Sequence, residues 1–304
     1  MTPTINTSMG LYEWAMLFVL SVLWGGSFFF VGVAVADLPP LTIVTLRVGI
    51  AAIALWSIAL VLGHRPPKRV EIWVALLGMG LLNNVIPFVL IVWGQTQISS
   101  GLASILNATS LLFTVIVAGM LLPDERATPL KILGVVIGFS GVVIMIGVPS
   151  MGEGDSTLAQ SAIIVAALFY AFAGVFGRRF RVMTLQPIVT AAGQVTVSTL
   201  MIAPIAYIVD GPLVIADTSS ETWVAILGLA ILSTAIAYVL YFKLLESAGA
   251  SNVLMVVLLI PVSAILLGAL FLNETVQAVH IAGMLLIGLG FSVIDGRLWR
   301  RNIR

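Results

Sequence analysis

Long apolar runs separated by short polar breaks organise this chain. Ten runs are long enough to cross a bilayer as helices: residues 12–36, 41–62, 72–94, 98–122, 130–148, 158–177, 187–209, 222–242, 248–272 and 277–294. A hydrocarbon core of roughly 30 Å needs about 20 residues of helix. Strand-like alternation over segments of about ten residues is missing, so a membrane β-barrel is excluded. Ala34-Val35-Ala36 resembles a signal-peptidase site. However, no Lys or Arg precedes the first run, which is also longer than the apolar part of a signal peptide. It is expected to stay as a span. The pattern predicts an all-α polytopic membrane protein with ten transmembrane helices.

Composition sharpens this. Of 304 residues, 60% are hydrophobic and 9% charged, against about 25% charged in ordinary globular domains. A net charge of +1 with no basic stripe excludes nucleic acid as a partner. The chain has no cysteine, so disulfides and thiolate metal sites are excluded. No cofactor or metal is expected. The expected partners are the lipid bilayer and a small-molecule solute, with the chain acting as a monomer in the cell inner membrane.

Where the charges lie matters more than their number. With the N-terminus inside, the cytoplasmic segments receive Arg65, Lys68, Arg69, Arg126, Lys131, Arg178, Arg179, Arg181, Lys243, Arg297, Arg300, Arg301 and Arg304. External segments receive acids only, among them Asp37, Glu153, Asp155, Asp210, Asp217 and Glu221. Basic residues stay on the cytoplasmic side, so both termini are expected there. The remaining cation, Arg47, lies about seven residues into a span. It suits either of two roles: holding a solute carboxylate through paired hydrogen bonds, or snorkelling and locking helix ends through carbonyls and Asp37. No carboxylate lies deep in a span, so the intramembrane acids that proton relays use are missing, and an uncoupled facilitator is expected.

A polar, glycine-containing connection at 149–156 follows the fifth span, giving two halves, 1–149 and 150–304. An offset of 149 residues pairs Gly119 with Gly268, Glu125 with Glu274, Gly134 with Gly283 and Gly141 with Gly290. Five is odd, so the second half enters the membrane with opposite polarity. The expected architecture is two inverted five-helix repeats, as in alternating-access carriers that hold solute near the midplane.

Leu23-Trp24-Gly25-Gly26-Ser27-Phe28, Leu38-Pro39-Pro40-Leu41-Thr42 and Leu46-Arg47 resemble the first two helices of EamA-type carriers of the drug/metabolite transporter superfamily. So do Ser100-Gly101-Leu102-Ala103-Ser104 leading to Asp124-Glu125-Arg126, and Ala250-Ser251 leading through Pro261 to Asn273-Glu274-Thr275. The resemblance runs from about residue 14 to 294 and is greatest to the amino-acid and aromatic-amino-acid exporters. It implies ten helices, two inverted repeats and export of small metabolites. The chain departs from the family pattern at Ser110-Leu111-Leu112-Phe113, where a proline is usual, and at Asn83-Asn84 with Pro87.

An unpaired polar group in hydrocarbon costs several kcal/mol, so polar residues within spans face protein or a cavity. Asn83 and Asn84 lie mid-span beside Pro87, whose missing N–H frees a carbonyl one turn earlier. They make either a polar site in a broken helix or an interhelical bond that repairs the kink. Asn107 and Ser110 share a face of the fourth span; solute lining and local bonding to the backbone both suit that region. Trp24 and Ser27 form a second such pair. Tyr170 lies at comparable depth in the second half, and Tyr238 and Tyr241 add an aromatic pair. Together these residues could wall a site for a neutral or aromatic solute, or they could pack helices with each hydroxyl bonded to backbone. Glu125 and Glu274 are expected to cap helix ends, and the Gly134, Gly138 and Gly283 positions to pack helices within the chain. Pro87, Pro261 and the glycine positions are candidate bending points.

The spans hold no constellation for intramembrane hydrolysis, and no nucleotide-binding loop is present. The reading is therefore a secondary carrier of small organic metabolites, amino acids including aromatic ones, and not an enzyme. Two alternatives stand beside it: a proton-coupled carrier of nucleotide sugars or drugs, and a membrane scaffold.

Overall fold

The computed structural model describes residues 10–122, 128–147, 154–212, 218–248, 250–253, 255–275 and 277–295. Among them all regular secondary structure is helical. The helices are α1 (Leu11–Ala34), α2 (Pro40–Val61), α3 (Val70–Gly94), α4 (Ser100–Leu121), α5 (Pro129–Gly147), α6 (Gly154–Val182), α7 (Pro187–Val209), α8 (Ser220–Ala248), α9 (Val256–Phe271) and α10 (Ala278–Asp295). A single turn, Ala250–Val253, precedes α9. Seven of these helices are long and apolar enough to cross a membrane; α5, α9 and α10 are shorter apolar helices. Large apolar side chains such as Phe18, Leu200, Leu270 and Leu285 stand exposed on the outside. Such a surface suits lipid and would be an association hazard in water. The chain is an all-helical, multi-pass membrane protein.

Local chemistry sets the helix ends. Pro40 and Pro187 occupy first-turn positions where a missing N–H costs nothing. Ser99 and Ser219 cap α4 and α8, their hydroxyls accepting from Leu102 N and Thr222 N. Gly63 and Gly211 end α2 and α7 at φ +81° and +85°, a conformation that favours glycine.

Two helices contain widened turns, at Leu81–Val85 in α3 and Gly228–Ile236 in α8. Shifted by 149 residues, the first falls inside the second. In α3 the Ile86 N–H reaches back five residues to Leu81 O, so the ladder has already slipped before Pro87 withholds its donor. In α8 the Thr234 hydroxyl donates to Leu229 O at 2.8 Å. The bending points therefore differ from those expected from proline alone. Pro261 sits inside the continuous helix Val256–Phe271. By contrast, α4 breaks at Ala108–Thr109, where no proline occurs. There the Thr109 hydroxyl donates to Leu106 O at 2.6 Å, competing with the backbone ladder.

The packing exchanges equivalent elements. α5 lies on α10 and α2 on α7, while the contact of α1 with α9 has its counterpart in α6 with α4. At the α5–α10 crossing, Gly134 abuts Gly290 O and Gly141 abuts Gly283 O. The numbering rises in one helix as it falls in the other, so the two helices run in opposite directions. The small residues expected to pack helices do so within the chain. Across α2 and α7, the Trp56 indole N–H donates to Thr196 Oγ1 at 2.8 Å.

Candidate solute site between the halves

The widened turn of α3 places Asn83 and Asn84 toward α7 and α8. Asn83 Nδ2 donates to Tyr238 OH at 3.1 Å and lies 3.4 Å from Gln194 Oε1; Asn84 Nδ2 donates to the same hydroxyl at 3.3 Å. One phenol oxygen thus receives two amides from the other half of the chain. Tyr238 bonds to amides rather than to backbone, and the asparagines bond across helices rather than to the kinked turn.

Aromatic rings extend the wall. Tyr238 stacks on Phe242 with centroids 6.3 Å apart, Phe242 meets Tyr241 edge-on at 5.2 Å, and Tyr241 lies 5.5 Å from Trp24 of α1. Tyr170 of α6 packs against both large apolar clusters of the core. Trp24, Asn83, Tyr170, Tyr238 and Tyr241 are all half-buried, so this wall is not sealed by packing. Rings with a polar tip suit an amphipathic solute.

Among the described residues no hydrogen bond joins Ser27, Asn107 or Ser110 to this cluster. Ser27 is buried on α1. Asn107 leaves its Oδ1 buried without a donor, and the Ser110 carbonyl accepts from the Thr114 hydroxyl. A groove of about 340 Å³ lined by Leu82, Leu121, Phe172, Val175, Phe176 and Arg179 contains none of the predicted residues.

Arg47 is 6% exposed, so it does not snorkel, and among the described residues it bonds to neither Asp37 nor a helix-end carbonyl. Its Nε–H donates to Thr234 Oγ1 at 3.1 Å, and its guanidinium carbon lies 3.7 Å from the Phe88 ring centroid. Thr234, Phe88 and Gln194 were not among the residues expected from sequence. Gln194 gave the same signal as Asn83, an amide in an apolar run. Thr234 gave little, because a hydroxyl can bond to its own helix.

The acids sit at the ends of helices and join the halves. Asp37 Oδ2 accepts from Ser219 N at 3.0 Å, from the Ser219 hydroxyl and from Thr222 Oγ1 at 2.7 Å. Those hydrogen bonds hold its carboxyl below the ordinary value. Asp210 Oδ2 accepts from Thr42 N at 2.7 Å and from its hydroxyl at 2.9 Å. Glu274 accepts from Ser100 N at 2.8 Å and Gly101 N at 3.2 Å. Each carboxylate meets the N-terminus of a helix in the opposite half, where free N–H groups and the helix dipole favour it. Glu274 is thus the helix cap expected of it; Glu125 lies outside the described residues, as do Glu153, Asp217 and the C-terminal arginines.

Residues 12–147 and 157–294 each match the EamA-like transporter family. An uncharacterized transporter of Bacillus subtilis, YoaV, is 26% identical over 291 residues, covering 95% of this chain and 99% of its own. An uncharacterized inner membrane transporter of Escherichia coli K12, YedA, is 26% identical, covering 87% of this chain and 84% of its own. A protein of the same strain named a probable amino-acid metabolite efflux pump is 24% identical, covering 93% and 95%. A solved crystal structure superposes with a TM-score of 0.67 at 21% identity, over 96% of this chain and 99% of that one.

Proposed function

We propose that this chain, which belongs to the EamA-like transporter family, is a secondary carrier of small organic metabolites, specifically amino acids including aromatic ones. It spans the inner membrane ten times as two inverted five-helix repeats, with both termini in the cytoplasm, and works by alternating access. The observation that carries this reading is the Tyr238 hydroxyl, which receives Asn83 and Asn84 across the two halves amid half-buried rings. A site built between repeats changes its access when the repeats rock.

The glycine contacts support the inverted arrangement. Gly134 is equivalent to Gly283 and Gly141 to Gly290, yet Gly134 meets Gly290 and Gly141 meets Gly283. Such exchanged pairing arises about a two-fold axis, and the opposite directions of α5 and α10 lay that axis in the membrane plane. The three carboxylate caps lie in connections that the distribution of cations assigns to the outside, so this conformation is closed externally. The relative named a probable amino-acid metabolite efflux pump supports the solute class.

Reconstituted vesicles given a panel of labelled amino acids test the reading. Saturable exchange of aromatic members, abolished in empty vesicles, is expected, and a proton gradient alone is expected to drive no accumulation. Absence of flux for every member of the panel overturns the solute class.

A further inference from the structure

Beside this site lies a buried cation that no carboxylate neutralises among the described residues. Arg47 is buried, and its Nε–H is the one guanidinium N–H with a partner among the described residues. That partner, Thr234 Oγ1, is neutral and is itself anchored by its bond to Leu229 O. The guanidinium rests on Phe88, four residues along α3 from Asn84, and bonds to Thr234, four residues along α8 from Tyr238, spacings that put each pair on one helix face. Three carboxylates of the helix connections are bound elsewhere: Asp37 to Ser219 and Thr222, Asp210 to Thr42, Glu274 to Ser100 and Gly101. A buried cation requires an anion or a dense set of acceptors; one hydroxyl is neither. Fixed at Nε and by the ring beneath it, the guanidinium leaves its two terminal nitrogens for a planar anion.

A second atom is unsatisfied in the same place. Asn84 is fully buried, its Nδ2 is bonded to Tyr238, and its Oδ1 has no donor. A buried acceptor left open costs free energy and calls for a donor. A guanidinium fork held by Thr234 and Phe88, each one helical turn from the Tyr238–Asn84 bond, and an orphaned carbonyl oxygen on Asn84 itself complement a ligand with an anionic group and an ammonium close together.

We propose that Arg47 binds the carboxylate of the transported solute and that Asn84 Oδ1 accepts from its ammonium group, so that the ligand is recognised as an α-amino acid zwitterion, its side chain lying along the aromatic wall. This rests on the carrier reading and names the groups that select its solute. Arg47 is then a binding residue, and its neutral surroundings keep it available.

The test is binding and flux measured on the same full-length protein. In detergent, phenylalanine, 3-phenylpropionate (no ammonium), phenethylamine (no carboxylate) and inorganic phosphate are compared by calorimetry or ligand-induced thermal shift. Wild type should bind phenylalanine best and 3-phenylpropionate next, and show no measurable affinity for phenethylamine or phosphate. Arg47→Gln should weaken phenylalanine at least ~30-fold, the loss expected for a charge-assisted paired contact, and Arg47→Lys about tenfold. Asn84→Leu should abolish the advantage of phenylalanine over 3-phenylpropionate. Should Arg47→Gln not yield monodisperse protein, Arg47→Lys and the ligand series on wild type still decide. Equal affinity for phenylalanine and phenethylamine, phosphate binding as tight as that of 3-phenylpropionate, or wild-type affinity in Arg47→Gln each overturn the assignment. Binding that depends on the carboxylate without vesicle flux upholds Arg47 and overturns the carrier. Phenylalanine flux indifferent to Arg47→Gln does the reverse.

Discussion

At the scale of single residues, this protein works by leaving some polar groups satisfied and others not. Tyr238 shows the first kind. Removing its hydroxyl strands the buried amide donor of Asn84 and leaves half-buried Asn83 only its long contact with Gln194, and an unmade buried hydrogen bond costs about 1–3 kcal/mol. Tyr238→Phe should therefore lower the melting temperature of the purified protein and weaken solute binding, while Tyr241→Phe, whose contacts are ring contacts, should leave both near wild type. Equal effects from the two variants would refute the special place given to the Tyr238 oxygen. Asp37 gives a pH prediction. Its folded pKa is lowered below 3.8 by hydrogen bonds from Ser219 and Thr222, so its stabilisation is present above 3.8 and is lost as pH falls through the lower folded value. The difference in melting temperature between wild type and Asp37→Ala should stay constant from neutral pH to 5 and shrink only below about 3.8.

At the scale of elements, the α5–α10 crossing allows the sharpest forecast. A Cβ on Gly290 would strike Gly138 N and Cα as well as Gly134 O, all backbone atoms that cannot turn away. The nearest atoms to one on Gly138 belong to the Leu112 side chain, and one on Gly288 would meet nothing within 4 Å. Overpacking typically costs 1–3 kcal/mol, so alanine substitutions should destabilise in the order Gly290, Gly138, Gly288, with Gly288→Ala near neutral in thermal melting. Any other order would contradict the close antiparallel crossing. The widened turns of α3 and α8 follow the same logic of necessity. Such turns recur at functional sites; here one presents Asn83 and Asn84, and the other Thr234.

At the scale of the whole molecule, three carboxylates in helix connections tie the two halves together by capping helices of the opposite half. In an alternating-access cycle these contacts must part. Because the chain has no native cysteine, Asp37→Cys with Ser219→Cys can be joined without background by a short bis-methanethiosulfonate, which releases methanesulfinate as each disulfide forms and is cleaved by a reducing agent. Flux in vesicles should stop on cross-linking and return after cleavage. Unchanged flux in fully cross-linked protein would remove this contact from the cycle.

Hydropathy made the helical, multi-pass architecture legible, because lipid acts on each residue of a run independently of the rest of the chain. The same rule drew attention to Asn83, Asn84, Tyr170 and Tyr238 as polar groups in apolar runs. It could not say that Tyr238 receives both asparagines, about 155 residues away, nor that Asp37 serves α8 and leaves Arg47 without a carboxylate. A partner depends on the rotation of each helix about its axis and on which helices adjoin, and no local pattern encodes either. The turn in α8 likewise had no proline to announce it. Sequence alone therefore determined a helical, multi-pass chain built of apolar runs. Tertiary structure decided which polar groups meet and which charge is left open.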